Sequence, residues 1–379
     1  MKNNPRCTRH PRHTVHTGLV AAFLATSGVV GVEQSACADG LVRCWGSNQY
    51  GQCNIPSDLG TCSSIAAGRH HTLAIRSDGT VRCWGLNNYE QCNAPADLGM
   101  CSSVAGGQYH SIAVRIDGAV RCWGAGVTNT GSFPDIGQSI VPADLGMCSS
   151  VAGGQYHSIA LRIDGTVRCW GWNLNGQCNT PSDLGTCSSI AGGGYHTIAL
   201  RSDGTVRCWG INDWGQCDTP ADLGACSSVG GKFYHNIAIR NNGTVRCWGL
   251  NGQGQCNTPA DLGSCSAVAA GFYHSLAVRS NGIVQCWGDN GFGQCNTPAD
   301  LGPCVSVAAG QYHSVAIVGT PCLADLFVDH QVNGADLGAL LAFWGPVNPG
   351  FPQADINSDG VVNGADLGYL LANWGSCPN

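Results

Sequence analysis

The sequence predicts an all-β seven-bladed propeller, closed by its N- and C-terminal strands and followed by a small α-helical C-terminal module. Three observations predict it. Cys-Trp-Gly recurs with its cysteine at 44, 83, 122, 169, 208, 247 and 286, at spacings of 39, 39, 47, 39, 39 and 39 residues. A period near 40 with several short strands per unit is the signature of a propeller blade. The array also opens on the back half of a hairpin, Asp39 to Trp45, and ends on the front half of one, Tyr312 to Val318. Joined, they complete a seventh blade and remove the exposed sheet edges of an open array. After Cys322 the pattern changes to two helical half-repeats 30 residues apart.

The N-terminus is taken first. Residues 1–38 read as an export signal: Lys2, Arg6, Arg9 and Arg12, then an apolar stretch from Gly18 to Val32, then Ala36 and Ala38 in the small-x-small pattern before a cleavage site. The apolar run is short for a membrane span, and no later segment qualifies. An uncleaved anchor and a lipoprotein signal ending at Cys37 are the alternatives, the second weakened by Gln34 where an aliphatic residue is wanted. Cleavage after Ala38 removes four basic residues and Glu33 from a chain of net charge −6, leaving −9. That balance argues against nucleic acid, which needs clustered Lys and Arg. The expected location is extracellular or at the cell surface.

The repeat, residues 39–318, is read on 187–224. Cys187 to Ala191 is a short apolar strand, Tyr195 to Arg201 alternates as a half-buried strand, and Thr205 to Trp209 returns after the Asp203-Gly204 turn. Gly210 to Leu223 is a loop with room for a short outer strand. The runs 269–278, 202–210 and 45–52 resemble regulator-of-chromosome-condensation repeats, which form seven-bladed propellers. The units here are shorter and carry Cys53 and its counterparts where that family usually has leucine. They are more similar to compact repeats of secreted bacterial propellers, among which are protein inhibitors of β-lactamases. The departure counts against nucleotide exchange and chromatin binding.

Of the 24 cysteines, Cys7 and Cys37 leave with the signal. The even remainder in an exported chain reads as a disulfide framework. The repeat carrying Cys122 and Cys148 lacks the middle member of the usual trio, so the two survivors are taken as partners. The expected bridges are Cys44–Cys62, Cys83–Cys101, Cys122–Cys148, Cys169–Cys187, Cys208–Cys226, Cys247–Cys265 and Cys286–Cys304, with Cys322–Cys377 stapling the tail. The seven histidines His71, His110, His157, His196, His235, His274 and His313 occupy equivalent positions. A catalytic histidine needs a distinguishing partner, so each is expected to make a structural hydrogen bond within its blade, and no catalytic residue is assigned. Function is sought where the repeat breaks. The candidate binding-loop residues are Phe133, Ile136 and Ile140 in the insertion 125–141, Lys232 where other repeats have Gly, and the loop aromatics Trp172 and Trp214. Tyr50, Tyr89 and Phe292 share the position of Trp214.

Residues 319–321 are a linker, and 322–379 form the tail. Asp355, Asn357, Asp359, Val361, Asn363 and Asp366 match the calcium-loop spacing 1, 3, 5, 7, 9, 12, with Gly360 for the sharp turn. Leu367, Leu370, Leu371 and Trp374 then follow helical spacing. The loop-plus-helix duplication, ending in Trp374-Gly-Ser-Cys377, resembles dockerin modules. That resemblance implies a fold of EF-hand-type loops, Ca2+ as cofactor, and a cohesin-like or cell-surface partner. The first half-repeat keeps Asp325, Asp329, Gln331, Asn333 and Asp336 as a weak second site, since Phe327 and His330 depart from the pattern. The chain is therefore expected to be a secreted, non-catalytic binding or display protein. Its propeller would recognise a protein or glycan and its tail would anchor it to a surface or complex. A secreted inhibitor of an extracellular enzyme is the alternative, ahead of a dockerin-anchored hydrolase or a guanine-nucleotide exchange factor.

Overall fold

The computed structural model describes residues 40–319, 324–326, 331–348, 350–357 and 359–376. Residues 1–38, expected to be an export signal, Cys322, Cys377, Asp329 and the Gln331 side chain lie outside the described residues. The first part is all-β and of propeller type. Its unit is a three-stranded antiparallel sheet. The fourth sheet shows the pattern: Cys187–Gly192, His196–Arg201 and Val206–Gly210, within a residue of the strands expected from the alternation. No strand is assigned in the loop from Ile211 to Ala225. Six sheets are contiguous in sequence. The seventh pairs Cys304–Ala309 with His313–Val318, and His313–Val318 with Leu41–Gly46 from the other end of the chain.

Why the strands form is visible in the middle one. Its six residues alternate across two buried faces, so that Ile198 and Leu200 are shielded on one side while Ala199 packs on the other. Each sheet stacks its large residues on the alanine and tryptophan of the next, as Leu73, Ile75 and Val81 do on Ala113 and Trp123. Truncating one such buried Ile or Leu to Ala costs about 2–5 kcal/mol. The Asp-Gly turns hold themselves through side-chain bonds, Asp203 Oδ1 accepting from the Thr205 N–H at 2.9 Å. The glycine carbonyl of each turn accepts the N–H of the cysteine opening the next sheet, as Gly204 does from Cys226 at 2.8 Å, and Gly40 does so from Cys62 at 2.9 Å.

The loop after each Cys-Trp-Gly is nailed down by a glutamine with no exposed surface: Gln52, Gln91, Gln138, Gln177, Gln216, Gln255 and Gln294. Its side chain accepts the N–H two residues back, and its backbone carbonyl accepts from the next sheet. Trp84 Nε1 donates to Gln52 O at 2.9 Å, and Thr72 Oγ1 donates to the same oxygen at 2.9 Å.

This glutamine decides the cysteine pairing, and it overturns the expected one. The loop returns the middle cysteine against the strand cysteine, giving Cys44–Cys53, Cys83–Cys92 and Cys286–Cys295 with Cα separations of 5.1, 4.9 and 5.1 Å. These replace Cys44–Cys62, Cys83–Cys101 and Cys286–Cys304. Cys122–Cys148, Cys169–Cys187, Cys208–Cys226 and Cys247–Cys265 are not formed either. Instead Cys247 Sγ lies 2.7 Å from Cys256 Sγ. A hydrogen bond to Cys169, then burial, raises the Cys178 thiol, and burial followed by the bond to Cys217 raises that of Cys208. Cys101, Cys148, Cys226, Cys265 and Cys304 each point back at the glycine two residues earlier, as Cys148 Sγ does at Gly146 O, 3.7 Å away. In the long repeat the middle position is not lost. Ser139 occupies it, follows the buried Gln138, and donates to Ala125 O at 2.6 Å. Cys122 is thus the cysteine without a counterpart, its thiol pushed up by burial.

The tail is a pair of related loop–helix units. Helix α1 (Gly334–Ala342) and helix α2 (Gly364–Ala372) each start from an asparagine cap with a capping box, closed by Asp336 and Asp366. Two short ladders cross between the halves, Gln331–Val332 with Gly375–Ser376 and Gly345–Pro346 with Val361–Val362. Leu340 and Leu370 are fully buried in the shared core, whereas Leu371 and Trp374 are about half exposed. The helical stripe 367–374 therefore splits between a core face and a solvent face.

Candidate binding face at the mouth of the repeat array

All seven histidines are completely buried, but their bonds run between sheets and not within them. His71 Nε2 meets Ser111 Oγ at 3.1 Å, His110 meets Ser158, His157 meets Thr197, His196 meets Asn236, His235 meets Ser275 and His274 meets Ser314. His313 returns to Thr72 at 3.2 Å. Each hydroxyl, or the Asn236 amide, donates onward to a buried glutamine carbonyl, so Nε2–H is the donor to it, and a ring buried with no partner at Nδ1 is neutral. Nδ1 has no partner, and in six of the seven the ring lies against a glycine, so that a Cβ at Gly154 would sit 2.0 Å from His157 Cε1; the exception is His235, where Lys232 holds that position. Burial lowers these pKa values, to about 3 for His71, His110, His157 and His235 and about 4 for His196 and His274. They are fasteners.

The residue before each histidine builds something else. Tyr109, Tyr156, Tyr195, Tyr234, Tyr273 and Tyr312 are half-buried along one face; three pairs are in ring contact, and Phe233 bridges Tyr234 and Tyr273 at 4.1 and 5.2 Å. Centroids are 5.8 Å apart for Tyr156–Tyr195, 6.1 Å for Tyr195–Tyr234 and 6.4 Å for Tyr273–Tyr312. Phe133, at the tip of the insertion hairpin Asn129–Ser132 and Asp135–Ile136, bridges Tyr109 and Tyr156 at 5.7 and 5.4 Å. Tyr50, Tyr89 and Phe292 extend the belt outward onto His70, Tyr109 and Tyr312. Burial, then neighbouring phenols, raises Tyr156 to about 12, so its hydroxyl stays protonated.

Inside the belt is a small, partly open cavity lined by the ends of six sheets. Arg69, Gln108, Gln155, Lys232, Phe233 and Phe272 face it. The half-buried Lys232 extends its strand by one residue and donates from Nζ to Ala67 O at 2.8 Å and Gly106 O at 3.2 Å, on sheets four and three earlier in the sequence. Burial lowers its pKa to about 8. Arg69 Nε donates to Gln311 Oε1 at 2.5 Å and Nη1 to Tyr109 Oη at 3.1 Å, with the guanidinium over the Tyr109 ring. Phe233 adopts a left-handed backbone, φ 47°, and stacks on Phe272 at 4.7 Å.

Of the binding-loop residues named from sequence, Phe133 and Lys232 belong to this site. Ile136 does not: it is 6% exposed and packs inside the insertion. Ile140 and Trp214 are exposed, and Trp172 is half-buried, but no ring contact joins them to the belt among the described residues. Arg69, Gln108, Gln155, Phe272 and Gln311 were missed. The signal was available, since the position two before each buried histidine reads Arg, Gln, Gln, Gly, Phe, Phe, Gln while its flanks barely change.

Six segments match the regulator of chromosome condensation (RCC1) repeat model: 62–91, 101–128, 148–177, 187–216, 226–255 and 265–294. This chain carries RCC1 repeats. Five of the six matches run from the first strand of a sheet to the buried glutamine, and no continuous segment contains all three strands of the sheet joined from both ends. The RCC1-type propeller is also found in solved structures. Prp20p of Saccharomyces cerevisiae is 18% identical, over 81% of this chain and 95% of its own, with a TM-score of 0.64. Yeast RCC1 (Prp20) bound to Kap60 is 19% identical over 82% and 97%, with 0.68. Human WBSCR16 is 18% identical over 74% and 100%, with 0.62. At these identities the likeness is one of fold. No curated protein matches the sequence.

In the tail, Asp355 Oδ1 and Oδ2 accept from the N–H groups of Asp359 and Gly360, Asn357 Oδ1 accepts from Asp359 N, and Asp359 Oδ1 from Val361 N. These oxygens share one tight turn, with Gly360 at φ 93°. The donor set is all oxygen, which fits a hard cation such as calcium. Asp366 is fully buried and accepts from Asn357 N and Asn363 N at 3.1 and 2.8 Å, which ties the loop to the helix. Among the described residues no three acidic side chains converge on one point. Asp336 plays the same tying role in the first half, accepting from Leu326 N and Asn333 N.

Proposed function

We propose that the protein is a secreted, non-catalytic recognition scaffold. Its seven sheets would be the blades of a closed ring, the aromatic mouth its binding face and the calcium-loaded tail its anchor. The observation that carries this reading is the mouth itself. An almost unbroken belt of half-exposed rings surrounds a cavity lined by two cations, on a frame whose seven equivalent histidines are all spent on links between sheets. Aromatic and arginine side chains are the residues that dominate protein interfaces. The neutral, buried histidines, equivalent in all seven repeats, support a non-catalytic role. In the tail, Asp355, Asn357, Asp359, Val361, Asn363 and Asp366 would hold calcium, which orders the loop when bound, and the exposed Leu371 and Trp374 offer an apolar surface to a cohesin-like or cell-surface partner.

Capture from the extracellular proteome with the full chain tests the reading. A partner retained by the native protein and lost by a Tyr195→Ala, Tyr234→Ala double variant of unchanged melting temperature is expected. Equal retention by both moves recognition away from the mouth. If the partner is an enzyme whose activity falls in a one-to-one complex, the scaffold acts as an inhibitor.

A further inference from the structure

We propose that the mouth receives a carboxylate carried on an acidic peptide segment of a protein partner, with Arg69 donating from Nη2 and Lys232 as a second charge lining the same cavity. The inference rests on reading that face as a protein-recognition surface. Charge is the first argument. Every other described arginine except Arg162 is ion-paired with an aspartate, and Arg162 donates to the carbonyl of Asp144. Arg69 and Lys232 have no acidic partner among the described residues, yet line one cavity of a chain with net charge −6. Two unneutralised cations in a desolvated mouth attract an anion.

Geometry narrows the anion. Arg69 spends Nε on Gln311 and Nη1 on Tyr109, which holds the plane of the guanidinium and leaves Nη2 without an acceptor among the described residues. A guanidinium so held still offers the charged N–H groups of Nη2 to one carboxylate oxygen. Beside it, Gln155 donates from Nε2 to Gln108 Oε1 and to Tyr156 Oη, while its own Oε1 is buried without a partner. That oxygen is an acceptor for a donor such as a peptide N–H. The rings decide between peptide and sugar. Phe233 and Phe272 lie 6° from parallel, and Tyr195–Tyr234 and Tyr273–Tyr312 are stacked at 26° and 24°. Phe233 and Phe272, the two rings that line the cavity, lie 4.7 Å apart and spend a face on each other, which takes from the cavity a face on which a sugar ring would stack.

The test uses the full chain and N-acetylated tetraglutamate amide as the probe, read by NMR shifts of the tyrosine ring and arginine Hε signals. Tetraglutamine and tetragalacturonate are the comparison ligands. The fold-preserving variants are Arg69→Gln, the residue that repeats place at 108, 155 and 311, and Lys232→Gly, the residue that the other repeats carry. Tetraglutamate is expected to bind, weaken with added salt, and lose about tenfold in affinity in R69Q and severalfold in K232G. Equal binding of the glutamine peptide, no binding of tetraglutamate, or undiminished binding by R69Q overturns the proposal. Preference for tetragalacturonate overturns the peptide assignment. A natural partner held equally by R69Q but lost by the double tyrosine variant would sink the carboxylate alone. A partner indifferent to the double variant would sink the recognition face with it.

Discussion

Acidification should unfold this propeller abruptly, and the histidine links say where. Each of the seven rings is neutral, buried and lowered from an ordinary 6.5, to about 3 in His157 for example. The unfolded chain therefore binds protons that the native state refuses, so stability is full above the unfolded value and is lost as pH falls towards the folded one. At about pH 5 an unfolded histidine is almost wholly protonated, a penalty of about 2 kcal/mol for each link. Seven links together lose roughly 10–15 kcal/mol, as much as a typical domain's whole stability. The slope of unfolding free energy should approach about 9 kcal/mol per pH unit between pH 6 and 5, against about 8 in a His157→Gln variant, which binds one proton fewer. Urea melts followed by tryptophan fluorescence across that range give both slopes. Retention of native near-UV dichroism at pH 4, or a slope of one or two protons, would refute the inter-sheet assignment of the rings.

Other perturbations follow from the same packing. Gly154→Ala places a Cβ against the His157 ring, which cannot retreat, and should cost about 3 kcal/mol or more, seen as loss of soluble protein or a lowered melting temperature. Ser139→Cys should bridge to Cys122 and stabilise by about 3 kcal/mol; mass mapping without reductant that found Cys122 still alkylatable would contradict the register of that loop. Calorimetry of the full chain should show calcium binding that Asp355→Ala abolishes. Asp366→Ala should in addition lower the helix content and cost about 1 kcal/mol from the lost cap even without calcium.

Much of the frame was legible because each unit repeats a local code. Alternation in Tyr195 to Arg201 and the Asp203-Gly204 turn place the strands to within one residue, since both depend on neighbours in sequence. The disulfides were not legible. Whether Cys44 meets Cys53 or Cys62 depends on the path of a loop set by the burial of Gln52, a residue that reads as polar and exposed. The survivor argument at Cys122 failed because a serine holds the missing place after an insertion that hid the register. The histidines were read correctly as structural but in the wrong direction, as a side chain on a middle strand can reach across to the next sheet. The mouth was half found: Lys232 and Phe133 break the repeat, whereas Arg69 and the glutamines look like ordinary variation until six strand ends bring them together.

The sheet shared by both ends also has mechanical consequences. Leu41–Gly46 is an edge strand with one ladder, to His313–Val318, whereas His313–Val318 has a ladder on either side. The tail leaves from the end of that doubly held strand. Tension through an anchored tail would load two rows of hydrogen bonds at once. Tension applied at Gly40 would instead break the Gly40–Cys62 pair and then peel the edge strand from Val318 inward, one bond after another, so a load meets more resistance from the C-terminal side than from the N-terminal one.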